Sequence, residues 1–205
     1  MAADDGDIIF EIADYSNPTH KEAIEVNKNR VTGLYIKIND RCMSLGVLCV
    51  CFKVMMAQYA EDPMGGGEAL DPSILSSLAG ELAKVPGAFT VIALAKGPSF
   101  PFLSATCDQP AGLVNCFMGF STFACKPLVN VHDCAVHPDY RRRGVCSRML
   151  ACCEAEARKR GCCKITLEVL ANNNVAKAAY VKDGYVGYEL DPAMGGAEFW
   201  QKKLK

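Results

Sequence analysis

The stretch Arg141-Arg142-Arg143-Gly144-Val145-Cys146 constrains this chain most tightly, because of what stands on either side of it. Before it, Val129 to Val136 reads as an apolar core strand that His137-Pro138-Asp139 brings to an end. After it, Cys146, Met149, Leu150, Cys153 and Ala157 recur at helical spacing and give one apolar face. Arg158, Lys159 and Arg160 load the last turn, and Gly161 supplies the stop. A strand, a basic glycine turn and a helix N-terminus in succession can hold an anion such as phosphate. The first-turn N–H groups lack intrahelical acceptors, the helix dipole adds partial positive charge, and Gly144 allows close backbone approach. Three arginines add bidentate donors. Read alone, the same run is equally a solvated basic helix cap, and the choice rests on what lies downstream.

The other elements follow from periodicity and punctuation. Ile8 to Ile12 is a short strand-like segment, and Asn17-Pro18-Thr19-His20-Lys21-Glu22 has the form of a helix start. Asp71 as cap, Pro72 at the first helical position and a stripe of Ile74, Leu75, Leu78 and Leu82 predict a helix ending before Pro86. Phe89 to Ala95 and Ala111 to Phe120 read as neighbouring buried strands, joined by a loop rich in Pro, Ser and Asp. Lys164 to Val169 alternates, with Ile165, Leu167 and Val169 on one face. A short helix from Asn174 to Lys182 ends at Gly184, and Tyr185 to Leu190 and Ala197 to Leu204 follow as two expected strands. The order β-α-α-β-β-β-α-β-α-β-β implies an α/β fold. Its sheet is mixed and mostly antiparallel, with helices on both faces and a splayed parallel pair around the arginine-turn helix. The carboxyl ends of such a pair are the usual place for a ligand.

Residues 25–52 interrupt this order. Glu25-Val26-Asn27-Lys28-Asn29-Arg30 is polar and turn-like, Gly33 to Ile38 is strand-like, and Cys42 to Phe52 is almost wholly apolar. Only 11 residues run there without a charge, against the ~20 that a membrane span needs. With the segment removed, Lys21-Glu22-Ala23-Ile24 joins Lys53 to Ala60 in one amphipathic helix. The expectation is an insertion into the first helix of a single domain over residues 1–205. Translated intron sequence in a mis-predicted gene model is one origin, and a real surface excursion beside the core is the other.

Composition narrows the function. Half the residues are apolar, so the chain can bury a substantial core. A net charge of −1 argues against a nucleic-acid binder, since the basic residues cluster locally. The acidic start Met1 to Asp7 resembles neither a signal nor a transit peptide. The twelve cysteines include the adjacent pairs Cys152-Cys153 and Cys162-Cys163 and form no C-x-x-C, and His20, His132 and His137 show no ligand spacing with them. Reduced structural thiols in a cytoplasmic compartment, without a metal site, are expected.

Two separated groups of residues complete the reading. Val136-His137-Pro138-Asp139-Tyr140 leads into Arg141-Arg142-Arg143-Gly144-Val145-Cys146. Leu167-Glu168-Val169 is then followed by Asn173-x-x-Ala176-x-x-x-Tyr180 and Gly184-Tyr185. Together, over residues 129–186, they resemble the GNAT superfamily of N-acetyltransferases, whose acetyl-CoA loop is Gln/Arg-x-x-Gly-x-Gly/Ala. Cys146 departs from that pattern by adding a side chain where Gly or Ala is usual. Binding is expected to survive, with a tighter or shifted loop as the alternative.

The resemblance implies acetyl-CoA as co-substrate and transfer of an acetyl group to a primary amine by direct attack in a ternary complex. Arg141, Arg142, Arg143, Gly144, Val145 and Cys146 would wrap the CoA pyrophosphate with backbone N–H groups. The strand through Cys134, Ala135 and Val136 would carry a bulge, bind the pantetheine arm and aim an N–H at the thioester carbonyl. Tyr180 stands where the family places a general acid for the departing thiolate, and is otherwise a core tyrosine. Asn173 matches an asparagine that contacts the cofactor or orders the loop, a role compatible with a plain helix cap.

The base is not given by motif. Glu168 ranks first by its place in its strand, Asp133 second, with His132 adjacent; each carboxylate is equally readable as structural or solvent-facing. His137 reads as a turn residue. On the acceptor side, Asp62 and Glu68 in one glycine-rich linker and Asp191 in another could attract a cationic amine, or the linkers are plain turns. Phe199 and Trp200 would offer apolar walls, one of them belonging to the core. The expected acceptor is a small-molecule amine or a protein amine, with no nucleic-acid or membrane partner and the oligomeric state open, a dimer included. The alternative function is a catalytically weak acyl-CoA-binding regulatory module.

Overall fold

A computed structural model describes residues 8–14, 35–38, 41–95 and 109–204. The helix start at residues 17–22, the turn-like residues 25–30 and the Pro/Ser/Asp loop of residues 96–108 lie outside the described residues. Two compact units are present, residues 1–167 and residues 168–205.

The first unit is built on a five-stranded sheet in the order β1-β4-β5-β6-β7. Its strands are β1 (Ile8–Asp14), β4 (Phe89–Ala95), β5 (Gln109–Ser121), β6 (Lys126–Val136) and β7 (Ile165–Leu167). All neighbours are antiparallel except β6 and β7, which run parallel, as the element order predicts. A separate hairpin joins β2 (Tyr35–Ile38) to β3 (Arg41–Ser44). The helices are α1 (Leu45–Glu61), α2 (Pro72–Leu82) and α3 (Val145–Lys159).

β4 is buried along its whole length, as a strand inside a sheet covered on both faces must be. Side chains alternate along β5 from Gly112 to Cys116, so Leu113 and Asn115 face α1 and Gly112 and Cys116 face α3. Leu113 packs with Leu48, Phe52 and Met55 of α1 and with Ile92 and Leu94 of β4, all buried. On the other face, a Cβ at Gly112 would lie 2.8 Å from Met149 Cε and 3.1 Å from the Ala135 carbonyl oxygen. Glycine there is what lets α3 lie close to the sheet.

The start of α2 is as expected: Asp71 accepts from the Ser73 N–H and Pro72 occupies the first turn. Leu75, Leu78 and Leu82 pack against the core, whereas Ile74 is 50% exposed and leaves the stripe. Residues 45–52, set apart by the sequence pattern, form the first two turns of α1 and bury Leu48, Cys51 and Phe52. No helix among the described residues is long and apolar enough to cross a membrane.

In the second unit α4 (Asn174–Lys182) has its expected limits, with Asn173 as N-cap. The two strands expected after it do not form. Residues 185–190 meet the following segment through an isolated bridge of Glu189 with Gly196, just ahead of 197–204, and a bond from the Ala197 N–H to the Tyr188 carbonyl at 3.0 Å. A ladder persists where one face is buried, and here Val186, Leu190, Phe199, Trp200 and Leu204 are all exposed. Neither Phe199 nor Trp200 is a core residue.

Phe52, 2% exposed, tests the place of residues 45–52 in the core. Phe52→Ala is expected to lower unfolding stability by about 3–5 kcal/mol, read by urea denaturation. A loss below about 1 kcal/mol would mean that this turn of α1 does not pack as described.

Candidate functional site

The site begins with a counting mismatch in β6. Asn115 pairs with Asp133, but the next residue, Cys116, pairs with Val131, so His132 is an extra residue opposite the 115–116 step. Regular alternation from Val131 would send Asp133 toward α3. The bulge reverses the phase from there on: Asp133 and Ala135 face α1, and Cys134 faces α3. The sequence reading expected the bulge in residues 134–136; it falls at His132, whose ring meets Phe117 edge-on at 5.4 Å.

Asp133 thereby meets a polar group inside an apolar layer. The Asn115 Nδ2 donates to Asp133 Oδ2 at 2.9 Å. Thr90 Oγ1 donates to Asn115 Oδ1 at 2.7 Å, which fixes which end of the amide faces the carboxylate. Thr90 and Asn115 are buried, while Asp133 is half-buried. Tyr59, on α1, packs against the core on this face and lies close enough to Asp133 to feel its charge. Burial pushes its phenol pKa up, and the electrostatic influence of Asp133, Cys134 and Asp62 adds to the rise, so the hydroxyl stays a donor at neutral pH. Sequence reasoning missed Tyr59, Asn115 and Thr90. Two of them left a signal: Thr90 is the sole polar residue in Phe89–Ala95, and Asn115 the sole amide in 111–120.

The second part is the turn at residues 141–144. His137 accepts from the Asp139 N–H at 3.3 Å and opens a 3-10 turn, Pro138–Tyr140, the turn role expected of it. Arg141 is held at both ends of its guanidinium: Nε donates to the Val136 carbonyl at 3.1 Å, and Nη2 to Asp62 Oδ2 at 3.0 Å. Asp62 Oδ1 accepts from the Met64 N–H at 2.8 Å, so both carboxylate oxygens of this acceptor-side candidate have partners within the protein. Arg142 adopts φ +63, and Gly144, the N-cap of α3, adopts φ +73. Gly144 provides no side-chain cap to the first turn. Arg143 lies over the Tyr140 ring at 5.3 Å, and Val145 is buried beneath the turn. Cys146 Sγ lies 3.8 Å from Cys134 Sγ.

The parallel ladder between β6 and β7 ends at Val131 and Leu167, while β6 continues five residues to Val136, paired with β5. Glu168 follows the last residue of β7 and is exposed, not within a strand as expected. Val169 likewise lies beyond the strand. In the second unit Asn173 Oδ1 accepts from the Ala176 N–H at 3.1 Å, and Tyr180 is buried with its ring 5.9 Å from that of Tyr185. Asp191 caps a 3-10 turn, accepting from the Ala193 N–H at 2.9 Å. Glu68 is exposed in the α1–α2 linker. The described residues contain no group of three or more His, Cys, Asp or Glu that could hold a metal ion.

The buried amide makes a testable demand. Asn115→Asp would set two carboxylates side by side, and their repulsion is expected to destabilise the fold by about 1–3 kcal/mol at pH 7. Ionisation disfavoured in the folded state costs stability above the unfolded carboxylate pKa, so the deficit should shrink as pH falls toward about 4. Thermal unfolding of both proteins at the two pH values checks this; a pH-independent difference would remove the contact from Asp133.

A family model described as acetyltransferase (GNAT) family matches residues 81–185, just over half of the chain. No curated protein matches it. Among solved structures, an aminoglycoside acetyltransferase, meta-AAC0020, from an uncultured soil metagenomic sample is similar with TM-score 0.61 and 11% identity, over 98% of this chain and 99% of that one. The aminoglycoside acetyltransferase AAC(6')-Iy, solved with a bisubstrate analogue, gives TM-score 0.56 and 14% identity over 96% and 99%. A transcriptional regulator from Bacillus halodurans C-125 gives 0.60 and 16% over 80% and 97%. At these identities the likeness is one of fold.

Proposed function

This chain belongs to the acetyltransferase (GNAT) family, and from that premise we propose an acetyl-CoA-dependent N-acetyltransferase in which a primary amine attacks the thioester directly in a ternary complex. The observation that carries the reading is the turn between β6 and α3. Gly144, in the left-handed region, gives the first turn of α3 no capping side chain, and this supports a backbone anion site there for a CoA pyrophosphate. Acetyl-CoA supplies the activated acetyl group. The backbone of Cys134, Ala135 and Val136, beyond the end of the β6–β7 ladder, is the proposed track for the pantetheine arm.

For the base we favour Asp133 over Glu168. Asp133 is held by an amide whose orientation is itself fixed, so its geometry is set before substrate arrives, whereas Glu168 is exposed beyond its strand. The phenol of Tyr59 and the carboxylate of Asp133 on the same face suit an acceptor that enters as an ammonium and must lose a proton. Asp62, Glu68 and Asp191 remain candidates for guiding that cation. The aminoglycoside acetyltransferase fold neighbours support a small-molecule amine before a protein amine. Tyr180 is proposed as the proton donor to the departing thiolate, and Asn173 as cap and cofactor contact at once. The reading takes residues 1–205 as a single N-acetyltransferase domain of a cytoplasmic protein, with residues 25–52 as a proposed insertion.

An acceptor screen across amino acids, polyamines, aminoglycosides and peptides, following thiol release above the background of twelve protein cysteines, tests the activity. With an acceptor in hand, Asp133→Asn is expected to lower kcat by about 10²–10⁴ while acetyl-CoA still binds. Tyr180→Phe should likewise keep acetyl-CoA binding and lose turnover. Binding without turnover of any amine by the unaltered protein would favour the regulatory module instead, and unchanged turnover in Tyr180→Phe would remove that residue as the acid.

A further inference from the structure

Two thiols from different elements meet at the base of the arginine turn. The bulge at His132 directs Cys134 toward α3, and Cys146 is the second residue of that helix. Their sulfurs are 3.8 Å apart, and both residues are half-buried, within reach of a small solute. We propose that Cys134 and Cys146 form a redox-modification site, which a peroxide-class oxidant closes into a disulfide that reshapes the 141–146 turn.

The step balances with hydrogen peroxide as oxidant. One thiol gives up its proton, its thiolate attacks a peroxide oxygen, the O–O bond breaks, and the departing hydroxide takes up that proton, leaving a sulfenic acid and one water. The second thiol attacks that sulfur, the S–S bond forms, the S–O bond breaks, and a second water leaves with the remaining proton. Two thiols lose two electrons and two hydrogens, and one peroxide is reduced.

Other thiol pairs among the described residues are less suited. Cys116 and Cys153 lie 3.6 Å apart but are both buried, and hydrogen bonding to Cys116 together with burial pushes the Cys153 thiol pKa strongly up. That keeps the nucleophilic thiolate out of reach. In Cys152-Cys153 and Cys162-Cys163 the partners are adjacent in sequence, and neighbouring Cα atoms ~3.8 Å apart fall short of the usual disulfide span.

Closure has a direction. Disulfide sulfurs sit ~2.05 Å apart, so the pair must draw together. Cys134 is tied to Val114 in the antiparallel ladder. The movement therefore falls on the first turn of α3 and on the residues before it, where Gly144 is the permissive hinge. These are the N–H groups assigned to the CoA pyrophosphate, and the expected loss of affinity rests on that assignment.

The test treats the full-length reduced protein with stoichiometric hydrogen peroxide. Peptides are then mapped by mass spectrometry without reduction, and acetyl-CoA binding is measured before oxidation, after it and after dithiothreitol. The expected result is a Cys134–Cys146 cross-link, acetyl-CoA affinity weakened by about tenfold or more, and recovery on reduction. Cys134→Ser should give neither the cross-link nor any peroxide-dependent change in its own affinity. Other pairings, or sulfinic acids with Cys134 and Cys146 still thiols, overturn the proposal, as does a cross-link that leaves affinity unchanged. If the reduced protein binds no acetyl-CoA, the acetyltransferase reading fails by itself, and the peptide map still decides the disulfide.

Discussion

β6 carries one residue more than β5 can match at the 115–116 step, and the candidate site is arranged around that surplus. A strand has only two faces, so one extra residue exchanges the faces of everything that follows it. With His132 inserted, Asp133 joins Asn115 and Ala135 joins Leu113 on the side of α1, while Cys134 turns to Cys146 on the side of α3. Without it, the carboxylate would point into the packing of α3 and the thiol toward Tyr59. One irregularity thus sorts the acidic chemistry and the thiol chemistry onto opposite sides of a single strand.

The two faces differ in how they tolerate polarity. Between the sheet and α1, a hydroxyl and an amide are almost fully enclosed, and each is satisfied by the next in the series Thr90, Asn115, Asp133. Enclosed polar groups cost stability when unpaired and define a geometry when paired. On the far face, buried Glu156 receives Arg160 Nε at 2.7 Å, and the guanidinium lies over Phe89 while also donating to the Gly87 carbonyl at 2.9 Å. That cluster ties the C-terminal end of α3 to the start of β4. The N-terminal half is tied to β1, where Arg148 donates to the Ile8 carbonyl at 3.3 Å and lies over the Phe10 ring, and the turn before it is the part proposed to meet the ligand.

The pair between Asp62 and Arg141 links the end of α1 to the arginine turn. Both side chains are partly exposed, so its energy is small. Its effect is positional. Arg141 is directed back toward Val136 and α1, which leaves the turn to present backbone donors at Gly144 instead of that guanidinium.

Much of this was legible in the residues, and the parts that were not share one cause. Asp71-Pro72 set the start of α2, Asn173 and Gly184 bracketed α4, and Phe89 to Ala95 announced a fully enclosed strand, because caps, breakers and apolar runs act over a few neighbouring residues. Tyr185 to Leu190 and Ala197 to Leu204 had strand-like composition, yet a strand persists only through a ladder and a covered face, and here there is one isolated bridge and the large apolar side chains are exposed. Glu168 ranked above Asp133 until β7 ended one residue short of it and Asn115 was found across the ladder from its rival. By itself, then, the sequence determined the family, most of the element types and the strand–turn–helix around Gly144, all properties of short range. Tertiary structure alone decided the phase of β6, the nearness of Tyr59 to Asp133 and the meeting of Cys134 with Cys146, because each depends on register between segments that the chain does not hold adjacent.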